Sequence, residues 1–142
     1  MQPPQKILLI DDDPLVAQLI GMLVGSFRGV PYAFEHCPDY AGGLKRLLTG
    51  GYALCLLDYR LGDGDGLQLL REAKARQCAT PIILLTGDER EEIDLAAMES
   101  GAADFMTKHD FKPDTFERAV EYAIKTADER NQLLAKAKKP AG

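Results

Sequence analysis

Three consecutive carboxylates stand directly after an apolar run at residues 6–10. Further along the chain, a carboxylate, a hydroxyl and an amine each end or closely follow a similar apolar run. Neighbouring like charges repel, so a site that keeps several carboxylates ionised needs a cation or hydrogen-bond donors nearby. The residues that could take part in chemistry are Asp11, Asp12, Asp13, Asp58, Thr86 and Lys108.

These residue types together suit phosphoryl transfer assisted by magnesium. Converging carboxylates bind hard divalent cations, and magnesium in proteins uses one or two of them while keeping several waters. A lysine and a threonine opposite the carboxylates can stabilise the oxygens of a phosphoryl group. One carboxylate then remains as a nucleophile, and its product is an aspartyl phosphate.

Five short apolar runs alternate with segments of helical spacing, which predicts five strand-helix units. Such alternation indicates an α/β fold in which a doubly wound parallel sheet carries helices on both faces. The carboxyl ends of parallel strands meet at one edge of the sheet, where ligands bind, so we expect the six residues to converge there. The runs lie at 6–10, 32–36, 53–57, 81–86 and 103–106, the second being the weakest.

Four motifs in order carry a resemblance to a known family. They read ILLIDDDP at 7–14, LCLLDYRLGDGDG at 54–66, ILLTG at 83–87 and GAADFMTK at 101–108. Together they resemble the receiver domain of response regulators in two-component signal transduction, a flavodoxin-like fold, over residues 5–127. The resemblance implies a five-stranded sheet of order 2-1-3-4-5 with five helices. The helical pattern of this chain adds an extension to the last of these helices.

The resemblance assigns Asp58 as the phosphoacceptor. It implies Mg2+ as the cofactor, with Asp12 and Asp58 as ligands and Asp11 acting largely through a metal-bound water. The main-chain carbonyl of Arg60 is a further expected ligand. The implied phosphoryl donor is a sensor histidine kinase or a histidine phosphotransfer protein, and the domain signals rather than serving as an enzyme for other substrates.

The resemblance also implies a switch and a phosphate-binding residue. Thr86 corresponds to the switch hydroxyl, Lys108 to the phosphate-binding lysine and Phe105 to the aromatic residue whose rotamer reports activation. Arg60 and Asp88 lie two residues after the acceptor and the threonine, so we expect this pair to restrict the attacking water and tune dephosphorylation.

Two positions depart from the family pattern, because Gly62 and His109 stand where proline is frequent. Neither departure removes a reacting group. Two other acids have structural interpretations: Asp13 and Asp65 are expected to be helix N-caps, each directly before a helical segment.

Two other functions stay open at this point. Asp11 and Asp13 form an Asp-x-Asp pair of the kind found in haloacid-dehalogenase-like phosphatases, although the usual following residue and room for a cap domain are missing. A receiver-like interaction module that never carries phosphate is the other alternative, and the complete set of acids, threonine and lysine argues against it.

Composition narrows the remaining possibilities. The chain has 142 residues, 46% hydrophobic and 27% charged, which is typical of one globular domain. A net charge of −5 argues against direct binding of nucleic acid. Three widely spaced cysteines indicate reduced thiols, and no apolar run approaches the roughly 20 residues of a membrane span. A cytoplasmic protein that does not contact the membrane is expected.

The final helical pattern continues past the expected end of the domain. Residues 119–137 contain no glycine or proline, which predicts a helix reaching into a C-terminal extension or linker at 128–142. An exposed surface helix and a dimerising helix both fit this pattern. A homodimer would use the fourth helix, the fifth strand and the extended fifth helix.

Overall fold

The computed structural model describes residues 3–62, 64–87, 91–108 and 111–137. The five predicted strands alternate with helices along the chain, and two additional short strands follow the third of them. In chain order the elements are β1 (Gln5–Ile10), α1 (Pro14–Gly25), β2 (Tyr32–Cys37), α2 (Tyr40–Thr49), β3 (Tyr52–Asp58), β4 (Arg60–Leu61), β5 (Gly64–Asp65), α3 (Gly66–Ala75), β6 (Ile82–Thr86), α4 (Glu91–Glu99), β7 (Asp104–Thr107) and α5 (Pro113–Ala137).

Five of the strands form a parallel sheet in the order β2-β1-β3-β6-β7. This order is equivalent to the predicted 2-1-3-4-5, so the predicted fold class is confirmed. The strands β4 and β5 form a separate two-stranded antiparallel ribbon directly after β3. The amino-acid sequence gives no sign of this ribbon, because two-residue strands are too short to show a period.

The sheet is covered on both faces, which explains why its strands are nearly continuous apolar runs. In β1, Ile7 and Leu9 pack with α1 and α5 on one face, whereas Leu8 and Ile10 pack with α2 and α3 on the other. All four side chains are fully buried. Burial of both faces holds the strands in register and thereby fixes the positions of the residues at their carboxyl ends.

Aspartate N-caps begin three of the helices. The Asp13 carboxylate accepts a hydrogen bond of 2.9 Å from the backbone N–H of Leu15, and Asp65 accepts one of 2.6 Å from Gln68. Asp39 caps α2 in the same way. Both predicted caps are therefore confirmed, and each fixes where its helix begins.

The cap at Asp13 separates this residue from the other two acids of the triplet. Asp13→Ala is expected to lower the free energy of unfolding by about 1 kcal/mol, because it leaves a helix N–H without its partner. Magnesium affinity should stay the same, whereas Asp12→Ala should weaken magnesium binding and leave stability nearly unchanged. Urea denaturation and magnesium titration of both variants check this. Equal losses of magnesium affinity would contradict the assignment.

The helix α5 has a core-facing part and an exposed part. Phe116, Val120, Ala123 and Ile124 are buried against the sheet, whereas every residue from 128 to 137 is exposed. The predicted extension is therefore helical as far as Ala137, and residues 138–142 lie outside the described residues. A domain boundary between residues 127 and 128 stays a prediction.

Within the described residues, no helix combines the length and the apolar composition that crossing a bilayer requires.

Candidate functional site

The carboxyl edge of the sheet brings four of the predicted residues together. Asp11 follows β1, Asp58 ends β3, Thr86 ends β6 and Lys108 follows β7. The backbone N–H of Lys108 donates to the carbonyl of Thr86 at 2.8 Å, which continues the pairing of β6 and β7 by one residue. The strand pairing therefore places the lysine beside the threonine.

An ammonium group bridges the two buried carboxylates. Lys108 Nζ lies 3.0 Å from Asp58 Oδ1 and 3.1 Å from Asp11 Oδ2. Asp11 is fully buried and Asp58 is only 4% exposed. Isolated buried charges are costly, and the single positive charge of Lys108 offsets part of the negative charge of the two carboxylates. The site therefore keeps a net negative charge.

The acids at this edge could hold a divalent cation. One oxygen from each of Asp11, Asp12 and Asp58 lies within 4.8 Å of the others, and Asp12 is exposed to solvent. The N–H of Asp13 donates to Asp11 Oδ1 at 2.9 Å and so orients that carboxylate. Hard oxygen donors, one face open to water and a surplus of negative charge fit magnesium.

The pKa of Asp58 is raised from 3.8 to about 6, chiefly by burial and also by the neighbouring charge of Asp11. The Lys108 ammonium and the backbone N–H of Arg60 oppose this rise. The pKa of Lys108 is itself raised, because its two carboxylate partners outweigh the burial of the amine. At neutral pH, above this raised pKa, the site therefore holds an ionised Asp58 whose charge is disfavoured by burial.

This raised pKa predicts a pH dependence of stability in metal-free buffer. Between about pH 4 and pH 6 the folded chain keeps the Asp58 proton that the unfolded chain has lost. The favourable contribution of this group to stability therefore falls as the pH rises through that window. Asp58→Asn lacks this decline, so its stability relative to the unsubstituted chain should increase from pH 4 to pH 7. Urea denaturation at both pH values measures the change, and a constant difference would contradict a raised pKa.

Thr86 and Phe105 are placed differently with respect to the acids. Thr86 is 1% exposed, and its Oγ1 has no hydrogen-bond partner among the described residues. Phe105 is half-buried and packs against the core cluster that α2 and α3 share. A buried hydroxyl without a partner is costly, so Thr86 has a donor available for a group that enters the site.

Two residues near the site were not identified from the sequence. His36 Nε2 lies 2.6 Å from the carbonyl oxygen of Asp11, and since a carbonyl only accepts, the imidazole donates. Gly66 N–H donates to the Tyr59 carbonyl at 2.6 Å. Any Cβ on Gly66 would overlap the carbonyl oxygen of Asp58. Both contacts fix backbone that carries a site carboxylate.

The expected tuning pair is only half described. Arg60 is exposed in β4, two residues after Asp58. Asp88 lies outside the described residues, as does His109. The role of Arg60 and Asp88 in dephosphorylation therefore stays a prediction, and so does the role of the Arg60 carbonyl as a ligand.

Comparison with known proteins gives one consistent result. Residues 7–121 match the response regulator receiver domain family. The transcriptional regulatory protein RprY of Bacteroides fragilis is 34% identical over 109 residues, which covers 76% of this chain and 44% of RprY. The transcriptional regulatory protein GlrR of Escherichia coli is 32% identical over 130 residues, covering 89% of this chain and 29% of GlrR. The chain thus spans less than half the length of either relative.

Solved structures give the same family and the same fold. The receiver domain of the Francisella response regulator 1452 is 26% identical, with a TM-score of 0.76 over 86% of this chain and 98% of that one. A CheY-like receiver domain protein from Methanospirillum hungatei, at 22% identity and a TM-score of 0.78, shares the fold over 90% of this chain and 99% of its own. With the sheet order and the acidic edge described above, these matches show that the chain belongs to the response-regulator receiver domains, the phosphoacceptor domains of two-component signal transduction.

Proposed function

We propose that Asp58 is the phosphoacceptor and that Asp11, Asp12, Thr86 and Lys108 assist its phosphorylation. The observation that carries the proposal is the arrangement at the sheet edge. A buried carboxylate lies 3.0 Å from a lysine ammonium, and a buried threonine hydroxyl without a partner ends the neighbouring strand. The nucleophile Asp58, the hydrogen-bond donor Thr86 and the ammonium of Lys108 are thus held at the carboxyl ends of three adjacent strands.

The reaction transfers a phosphoryl group between two side chains. An Asp58 carboxylate oxygen attacks phosphorus while the bond from phosphorus to the donor histidine nitrogen breaks. The electron pair of that bond returns to the ring nitrogen, and the imidazole leaves as the neutral ring because its other nitrogen carries a proton. The signal ends when water attacks the same phosphorus and the bond from phosphorus to the Asp58 oxygen breaks, which releases inorganic phosphate and restores the carboxylate.

The surrounding residues stabilise charge and orient the nucleophile. Lys108 pairs with Asp58 before transfer and with a phosphoryl oxygen afterwards, and the Thr86 hydroxyl donates to another. Magnesium, held by Asp11, Asp12, Asp58 and the carbonyl of Arg60, would supply further positive charge for the phosphoryl oxygens. In this way the domain assists its own phosphorylation and dephosphorylation.

Phosphorylation is proposed to shift the domain between two surface conformations. Movement of the Thr86 hydroxyl toward the phosphoryl group leaves space near the end of β6. Phe105, half-buried on the adjacent strand, then turns inward. The face formed by α4, β7 and α5 changes with it, and this face is the proposed homodimer contact.

The family also indicates the setting in which the domain works. Receiver domains interact with histidine kinases, so a sensor kinase or histidine phosphotransfer protein is the proposed donor, in the cytoplasm. RprY and GlrR are named as transcriptional regulatory proteins, and both extend well beyond the matched region. For this chain, with its net charge of −5, we propose no direct contact with nucleic acid.

The haloacid-dehalogenase-like alternative is not favoured by the site. That chemistry needs both acids of the Asp-x-Asp pair in the site, but the Asp13 carboxylate caps α1 by accepting from Leu15 N–H. Only Asp11 of the pair contacts the Lys108 ammonium. A module that never carries phosphate would have no use for the costly convergence of buried acids.

Incubation with acetyl phosphate and magnesium, followed by intact-mass measurement, tests the proposal. The expected result is a mass gain of one phosphoryl group per chain that disappears when EDTA removes the magnesium. Rapid multiple turnover of phosphate esters would instead support a phosphatase. No mass gain at any magnesium concentration would support the interaction module and overturn the proposal.

A further inference from the structure

A cavity of about 250 Å3 lies at the end of the sheet opposite the acidic edge. Pro81 borders it just before β6 begins, whereas Thr86 ends the same strand, so the two ends are separated by about 16 Å of extended chain. Its walls come from the end of α3 and the loop that follows it, the loop between α4 and β7, and α5. The apolar lining consists of Ala79, Pro81, Ala102, Ala103, Ala123 and Ala127.

Two cations and no acid are found among the described residues that line this cavity. They are Lys74, near the end of α3, and Arg130, on the exposed part of α5. Within the described ranges of the chain, neither side chain makes an ion pair or a hydrogen bond. The Lys74 stem packs on Gly101, where an added Cβ would lie 3.2 Å from Cε, so the amine is held at the cavity wall.

The electrostatics of this pair favour a negatively charged occupant. Burial lowers the pKa of the Lys74 amine, Cys78 opposes this shift, and the nearby Arg130 lowers the pKa further. Elsewhere in the described part of the chain, half-buried Lys108 has carboxylate partners. Two adjacent cations without a counter-ion repel each other, and an anion between them would remove this repulsion.

Neutral polar groups complete the lining. The Thr126 hydroxyl and the Asn131 amide contribute from α5, and the Tyr122 ring stands at the rim, 73% exposed. An arginine guanidinium offers parallel N–H groups that match a carboxylate or phosphate. The cavity is smaller than the sites that hold drug-sized ligands, which limits its occupant to a compact molecule.

We propose that this cavity binds a small organic anion, with its carboxylate or phosphate group between Lys74 and Arg130 and an apolar body no larger than a substituted benzene ring against the alanine wall. The proposal goes beyond phosphoryl transfer and does not depend on it. Because Arg130 and Asn131 belong to the exposed part of α5, the bound anion also ties that part of the helix to the domain.

Chemical-shift titration of the 15N-labelled chain tests the site, with phenyl phosphate, benzoate and neutral benzamide as probes. Magnesium-free buffer keeps the phosphoryl-transfer site inactive. Saturable shifts at Lys74, Gly101 and Thr126 are expected with one or both anions and not with benzamide. A response to phenyl phosphate alone identifies a phosphate monoester, and a response to benzoate identifies a carboxylate. Equal binding of benzamide, or no saturable shift with either anion, would overturn the proposal.

Charge-removing variants give a second measurement. Arg130→Gln and Lys74→Gln should each weaken binding of the anionic probe about tenfold or more, because each removes a charge-assisted contact. Lys136→Gln is the matched control, since Lys136 is an exposed lysine on the same helix and does not line the cavity. Arg130 is exposed and glutamine keeps most of the Lys74 stem, so both variants should fold. An equal loss in the control would show general charge attraction and would refute the site.

Discussion

Asp58→Asn is expected to abolish the gain of a phosphoryl group from acetyl phosphate. The amide keeps the size and the acceptor oxygen of the carboxylate, but its oxygen is a poor nucleophile and carries no charge for magnesium. Because burial raises the pKa of Asp58, replacing its charge should not lower the stability of the fold at neutral pH. The loss of phosphorylation is therefore expected in a folded chain.

Asp39→Asn is the matched control for this variant. Asp39 is an exposed N-cap of α2, and asparagine caps a helix as well as aspartate does. The control should gain the phosphoryl group as the unsubstituted chain does, in the same intact-mass measurement. Phosphorylation of Asp58→Asn at an unchanged rate would show that another residue is the acceptor, and Asp11 and Asp12 would be the next to substitute.

Gly66→Ala is expected to destabilise the chain by about 3 kcal/mol, near the upper end of overpacking effects. The added Cβ would overlap the carbonyl oxygen of Asp58 and would lie 3.0 Å from Tyr59 Cα. These neighbours are backbone atoms, so no side chain can rotate away to relieve the overlap. Either α3 moves outward or the segment that carries Asp58 shifts, and both break the 2.6 Å hydrogen bond from Gly66 to Tyr59.

Gly25→Ala provides the comparison for the glycine prediction. Gly25 is the last residue of α1, and an added Cβ would meet no atom within 4 Å. This substitution should raise stability by about 0.5 kcal/mol, because alanine is the better helix former. Urea denaturation of the two variants should thus give changes of opposite sign. A Gly66→Ala variant as stable as the unsubstituted chain would mean that α3 is not held against β3.

Local patterns account for most of what the sequence predicted correctly. Asp13 and Asp65 are followed at once by helical segments, so their caps depend only on neighbours in sequence. The five apolar runs predict the sheet because burial on both faces leaves few polar residues in a strand. The convergence of Asp11, Asp58, Thr86 and Lys108 follows from one rule about the carboxyl ends of parallel strands.

Contacts between distant segments account for what was not predicted. The hydrogen bond from His36 to Asp11 depends on the register of β1 and β2, which no local pattern determines. The β4–β5 ribbon is too short for any period to appear. The cavity beside Lys74 and Arg130 is assembled from three segments that only the folded chain brings together, so no motif could mark it.

The length of the exposed part of α5 determines how far from the domain a segment joined to its end would lie. It also determines the direction, around the helix axis, in which that segment would point. The helix is continuous from the buried Ile124 to Ala137, a rise of about 20 Å at about 1.5 Å per residue. A segment joined to its end would be carried around the helix axis by about 100° for each residue added or removed. A change of one residue would turn that segment to another side of the domain, whereas a change of seven would nearly restore its orientation. The number of residues in this helix would therefore determine the rotation, about the helix axis, of any attached segment relative to the domain.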